Sequence, residues 1–86
     1  PSGTLTLYPN PNAGNFNIQP NFNKRTLLSG KLLNAEGKEV GSFLWENVLN
    51  QPFQVTLNKT LSPGTYFWHF RSENKEATVP MIIQQP

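Results

Sequence analysis

Leu61-Ser62-Pro63-Gly64-Thr65-Tyr66-Phe67-Trp68-His69-Phe70-Arg71-Ser72 is the stretch that decides the fold. Pro63 supplies the fixed φ that the second position of a type II turn requires, and Gly64 behind it is free to take a positive φ. From Thr65 to Ser72 the side chains alternate, with Tyr66, Trp68 and Phe70 in one row and Phe67, His69 and Arg71 in the other. That two-residue period belongs to a strand with one face in a core. Fully burying such rings stabilises by roughly 1.5–3 kcal/mol each, so this row anchors the core.

The same pattern continues on both sides. Phe53, Val55 and Leu57 alternate with Gln54 and Thr56 in a preceding strand that Asn58-Lys59-Thr60 ends, and a closing strand covers about Ala77 to Ile83. Nearer the start, Thr4 to Tyr8 puts Leu5 and Leu7 on one face. Two proline nitrogens then break any ladder, so Pro9-Asn10-Pro11-Asn12-Ala13-Gly14 is a turn. Asn15 to Gln19 follows with Phe16 and Ile18 inward, stopped by Pro20 and Asn21. Leu27 to Asn34 carries leucine on both faces, which fits a central strand or a partly covered outer face and leaves the inward register open. Ala35-Glu36-Gly37-Lys38 is a hairpin turn with Gly37 at positive φ, leading into a strand from Glu39 to about Leu44. Trp45, Val48 and Leu49 are apolar at near-helical spacing in a segment too short for a stable helix, so 45–51 reads as a loop crossing between sheets.

Seven short strands separated by turn residues predict an all-β fold, a seven-stranded antiparallel immunoglobulin-like β-sandwich, with an open barrel as the alternative. In 86 residues there is room for one domain with its core over about residues 4–84. Cysteine is absent, so stability rests on strand pairing and apolar burial. The longest apolar runs are far short of the roughly 18 residues of a membrane-spanning helix, which argues against membrane insertion. A chain that starts at Pro1 without a leader reads as a fragment of a longer secreted precursor.

Chemistry has little to work with. Aspartate and cysteine are absent, His69 is the single histidine and shares its row with Arg71, which makes it an outward, solvated ring. The serines sit outside any Gly-x-Ser-x-Gly setting. Glu36 with Glu39 and Glu73 with Glu76 are spaced three apart, a spacing that does not converge carboxylates in turns and strands. One histidine and no aspartate argue against zinc and calcium, so no catalytic, metal or cofactor site is expected. The seven basic residues are scattered and the net charge is +2, which forms no phosphate-binding stripe, so nucleic acid is not an expected partner. Trp45, Phe67 and Tyr8 could form a carbohydrate or peptide platform if they point outward; second-face packing or edge cover is the plainer reading.

Three motifs carry a resemblance. Leu7-Tyr8-Pro9-Asn10-Pro11-Asn12-Ala13-Gly14-Asn15-Phe16-Asn17-Ile18 resembles the opening of type A sorting domains of the type IX secretion system, which read Tyr-Pro-Asn-Pro, a polar turn, Gly and a strand. Asn34-Ala35-Glu36-Gly37-Lys38-Glu39-Val40 is similar to the family's hairpin, and Leu61-Ser62-Pro63-Gly64-Thr65-Tyr66 to its entry into the penultimate strand. The resemblance covers about Leu5 to Gln84. It implies a non-catalytic C-terminal signal on a periplasmic cargo, recognised by the outer-membrane translocon and removed by a sortase-like peptidase, with the cargo at the cell surface or in the medium. It also implies a monomeric domain covalently attached to an N-terminal cargo domain. Recognition would fall on Pro9, Asn10, Pro11, Gly14, Gly37, Pro63, Gly64 and Tyr66, with Lys75 added. Family members often carry a lysine in the final strand, where this chain has Val79-Pro80-Met81-Ile82-Ile83, and Pro80 makes that strand an edge or a bulge. The alternative function is an immunoglobulin- or fibronectin-like accessory or carbohydrate-binding module of a secreted multidomain protein.

Overall fold

A computed structural model describes residues 3–73 and 75–84. The strands are β1 (Thr4–Tyr8), β2 (Asn15–Asn21), β3 (Thr26–Leu33), β4 (Glu39–Val48), β5 (Phe53–Thr56), β6 (Gly64–Arg71) and β7 (Glu76–Ile83). They form a three-stranded sheet, β1-β2-β5, packed on a four-stranded sheet, β4-β3-β6-β7. Every neighbouring pair is antiparallel. This is an all-β sandwich, with a strand order compatible with the immunoglobulin-like class. The fourth strand stays beside the third because the turn between them is tight: Asn34 N–H donates to Lys38 O at 2.9 Å and Gly37 N–H to Asn34 O at 2.9 Å.

The core forms where the alternating rows of the two sheets meet. Phe16, Ile18 and Val55 come from one sheet, and Leu28, Leu32, Trp68, Phe70, Met81 and Ile83 from the other. Trp68 is the centre: it is fully buried, its ring lies 5.7 Å from Phe16 and 5.4 Å from Phe70, and its Nε1–H meets Met81 Sδ at 3.3 Å. The indole therefore keeps a partner for its one donor inside the core. In β3 the inward leucines are Leu28 and Leu32, while Leu27 is exposed, which settles the register that two-faced leucine left open.

Three local expectations change. Pro20 does not stop β2. Asn21 turns its carbonyl to Gly3 N–H at 2.6 Å, so Pro20, one step on in the alternation, faces away from β1. Pairing with β5 has already ended at Ile18, so no ladder misses a donor, and Pro20 O accepts from Gln19 Nε2 at 2.8 Å.

Trp45 to Val48 is not loop but the continuation of β4, and the crossing to the other sheet is confined to residues 49–52. Leu28 pairs with Trp45 and Thr26 with Val48, so between them one residue of β3, Leu27, opposes two of β4, Glu46 and Asn47, and Asn47 takes φ 57° to absorb the extra one. A β-bulge converts the two-residue period of inward side chains into a spacing of three, which is what imitated a helical pattern.

The third change is at Gly64. It has φ +150°, outside the type II value, and opens β6 opposite Ile83.

Candidate recognition surface

Strand direction sorts the turns into two groups. Residues 9–14, 34–38 and 57–63 and the end of β7 lie at one end of the sandwich; residues 22–25, 49–52, Ser72, Glu73 and Lys75 lie at the other with Gly3. Eight of the nine residues nominated from sequence fall at the first end. Lys75 lies in the β6–β7 turn at the second, separated from the Pro9–Asn12 turn by most of the length of β7, about 25 Å at the rise of an extended strand.

The first end is built around the Pro9–Gly14 turn, which is hydrogen-bonded to the outer edge of β7. Tyr8-Pro9 and Asn10-Pro11 are both cis peptides. Asn10 uses both ends of its amide: Nδ2 donates to Pro80 O at 3.0 Å, and Oδ1 accepts from Ile82 N–H at 2.9 Å. Asn12 adds a backbone bridge, donating to Ile82 O at 3.0 Å and accepting from Gln84 N–H at 2.8 Å. The same alternation that aims Ile82 outward also aims the nitrogen of Pro80 outward, away from β6. β7 is thus an edge strand, as Pro80 implied, and its proline costs no ladder bond.

Asn12 is the residue that sequence reasoning missed. It is buried, and its side chain folds back on the turn, with Oδ1 accepting from Gly14 N–H at 2.8 Å and Nδ2 donating to Pro9 O at 3.0 Å. Gly14, at φ +103°, passes the connection on by accepting from Leu57 N–H at 2.8 Å. The signal present in the sequence was the Asn-x-Gly spacing of an Asx turn.

The 34–38 turn at this end is held by its own asparagine. Asn34 Oδ1 accepts from Glu36 N–H and Lys38 N–H, both at 2.9 Å, with Gly37 at φ +85°. Tyr66 is buried and its hydroxyl donates to Ser62 O at 2.8 Å, tying the Leu61–Gly64 connection to the core. Pro63 and Gly64 are exposed on the outside of that connection. The eight nominated residues thus divide into exposed groups a partner can touch (Pro9, Asn10, Pro11, Gly37, Pro63, Gly64) and buried groups that hold them (Gly14, Tyr66).

Of the polar residues considered for catalysis, His69 and Glu76 are engaged with each other and Glu73 with a lysine. Glu76 receives His69 Nε2–H at 2.8 Å and Arg71 Nη2 at 3.4 Å, and Glu73 pairs with Lys24 at 3.1 Å. The hydrogen bond from His69, then that from Arg71, hold the Glu76 carboxyl below its ordinary range. Among the described residues no three His, Cys, Asp or Glu side chains gather as metal ligands would. The three aromatics considered as a platform do not share a surface. Trp45 stacks on Phe43 in the seam between sheets, Phe67 faces the outside of the four-stranded sheet, and Tyr8 is exposed at the end of β1.

A family model described as "Secretion system C-terminal sorting domain" matches residues 6–84. No curated protein matches the chain.

Proposed function

The chain belongs to the family of secretion system C-terminal sorting domains, and on that premise we propose that its Pro9–Gly14 end is the surface by which the secretion machinery recognises it. The domain is a type IX sorting signal, carried by proteins exported through the periplasm to the cell surface or medium, and the type IX machinery recognises it on an attached cargo. The finer reading is that the outer-membrane translocon contacts Pro9, Asn10, Pro11, Gly37, Pro63 and Gly64, held by Gly14 and Tyr66, and that a sortase-like peptidase acts afterwards. In this reading the domain is one non-catalytic unit at the end of a longer precursor.

The observation that carries this reading is the double hydrogen bond of Asn10 to β7. It makes one rigid surface from residues 70 positions apart in sequence. A signal read by contact needs such preorganisation, because ordering loops on binding costs affinity. Lys75 stands outside this surface, so a role for it requires a second contact at the far end.

The test fuses residues 1–86 behind an exported reporter in a bacterium that has this secretion system. The reading predicts reporter outside the cell for the unsubstituted domain, and periplasmic retention for Asn10→Ala combined with Pro11→Ala. Normal export of that folded double variant refutes the assignment of the surface.

A further inference from the structure

We propose that the free edge of β4 is a second contact site, which accepts an extended strand from the secretion machinery by β-augmentation. The proposal rests on the recognition reading above and adds a place and a mode of contact to it.

The backbone directions follow from the ladders. Ile82 turns its N–H and C=O toward Asn10 and Asn12, so Met81 and Val79 face β6. Carrying the alternation through Tyr66–Met81, His69–Lys31 and Gly30–Phe43 leaves Gly41, Phe43 and Trp45 bonded to β3. Ser42, Leu44 and Glu46 then aim their N–H and C=O groups away from the sheet, and no described residue pairs with them.

The four sheet edges differ in how they are protected. β7 is covered by Asn10 and Asn12 and carries Pro80, while β1 and β5 are five and four residues long. β4 is ten residues long and has no proline or lysine. Its bulges lie at Val40 and near Asn47, leaving 41–45 as a regular ladder. Edges are normally blunted by shortness, lysine, proline or bulges, and the middle of β4 has none of these.

The edge also opens onto a seam between the sheets. One recess of about 250 Å³ lies beside Val40, Phe43, Leu57 and Lys59, and another of about 720 Å³ beside Trp45 and Phe53. Phe43 and Trp45, stacked at 5.7 Å, face this seam only partly buried, whereas Leu44 on the outer face is 62% exposed. An added strand would place alternate side chains on the Phe43–Trp45 pair and on Leu44, as strand addition requires. Lys59 is the one charged residue at the smaller recess. The occupant is therefore an extended polypeptide with apolar residues at alternate positions and a carboxylate at its Lys59 end.

Hydrogen exchange of the full chain, alone and with purified outer-membrane translocon, tests this. The amides of Ser42, Leu44 and Glu46 should exchange about tenfold or more slowly in the complex. Leu44→Pro removes only an outward N–H, as Pro80 does in β7, and should weaken binding about tenfold with its melting temperature kept. Leu44→Lys, which needs no backbone change, should do the same. Binding that leaves the three amides unprotected overturns the edge site while leaving the Pro9–Gly14 surface standing; absence of binding overturns both. Protection that rises with protein concentration without translocon shows pairing with a second copy and also overturns the proposal.

Discussion

Replacing Asn12 with alanine is the most revealing change to the recognition end, because it removes no exposed group. Two hydrogen bonds disappear, Asn12 Nδ2 to Pro9 O and Gly14 N–H to Asn12 Oδ1. The first contributes about 1 kcal/mol, and stranding the buried Gly14 donor costs about 1–3 kcal/mol more. The sum is about 3 kcal/mol, a large share of the roughly 4–13 kcal/mol expected for a domain of this length. For a domain of this size that lowers the melting temperature by roughly 15 °C. Asn12→Asp keeps an acceptor for Gly14 but sets a buried carboxylate oxygen against Pro9 O in place of the amide donor, so it should destabilise at least as much as Asn12→Ala. Thermal denaturation of both variants gives the magnitudes, and amide exchange locates them, with Gly14 and Gln84 losing protection first. A fall of under about 4 °C for Asn12→Ala, which is under about 1 kcal/mol, refutes the view that this side chain organises the turn.

Tyr66→Phe deletes the bond to Ser62 O and should cost about 1 kcal/mol by urea titration, with no change expected if that hydroxyl were merely solvated. Trp68→Ala empties the centre of the core and should cost about 3–5 kcal/mol; a melting curve close to the parent's contradicts its place there. The Glu76 carboxyl, held low by His69 and then Arg71, should titrate below the ordinary glutamate range by NMR. Because its folded pKa is depressed, the stability it contributes is present above the ordinary glutamate value and is lost as the pH falls through the folded one. His69→Gln should move that midpoint upward, and an unmoved midpoint shows that His69 is not the cause.

What the sequence could reveal was set by the range of the interactions involved. The row Tyr66, Trp68, Phe70 and the turns at Gly14 and Gly37 are local patterns, and each lies where the reading of its own segment put it. Local reading failed where a neighbour strand decides the outcome. Pro20 is tolerated because β5 has already stopped at Ile18, and the Trp45–Val48 spacing comes from a bulge that only the pairing with Thr26 and Leu28 defines. The recognition end shows the same division. Its turn residues could be named from composition, but the bonds from Asn10 to Pro80 and Ile82 join opposite ends of the chain, and no pattern within either segment announces them. Asn12 was overlooked because its side chain serves the turn from inside.

The most direct measurement compares two loop-exchanged domains of matched melting temperature behind the same exported reporter. One has residues 22–25 and 49–52 replaced, the other 34–38 and 57–63. Reporter should reach the medium with the first and stay in the periplasm with the second, whereas equal export by both, or the reverse, contradicts a signal carried by the end where the first turn meets the last strand.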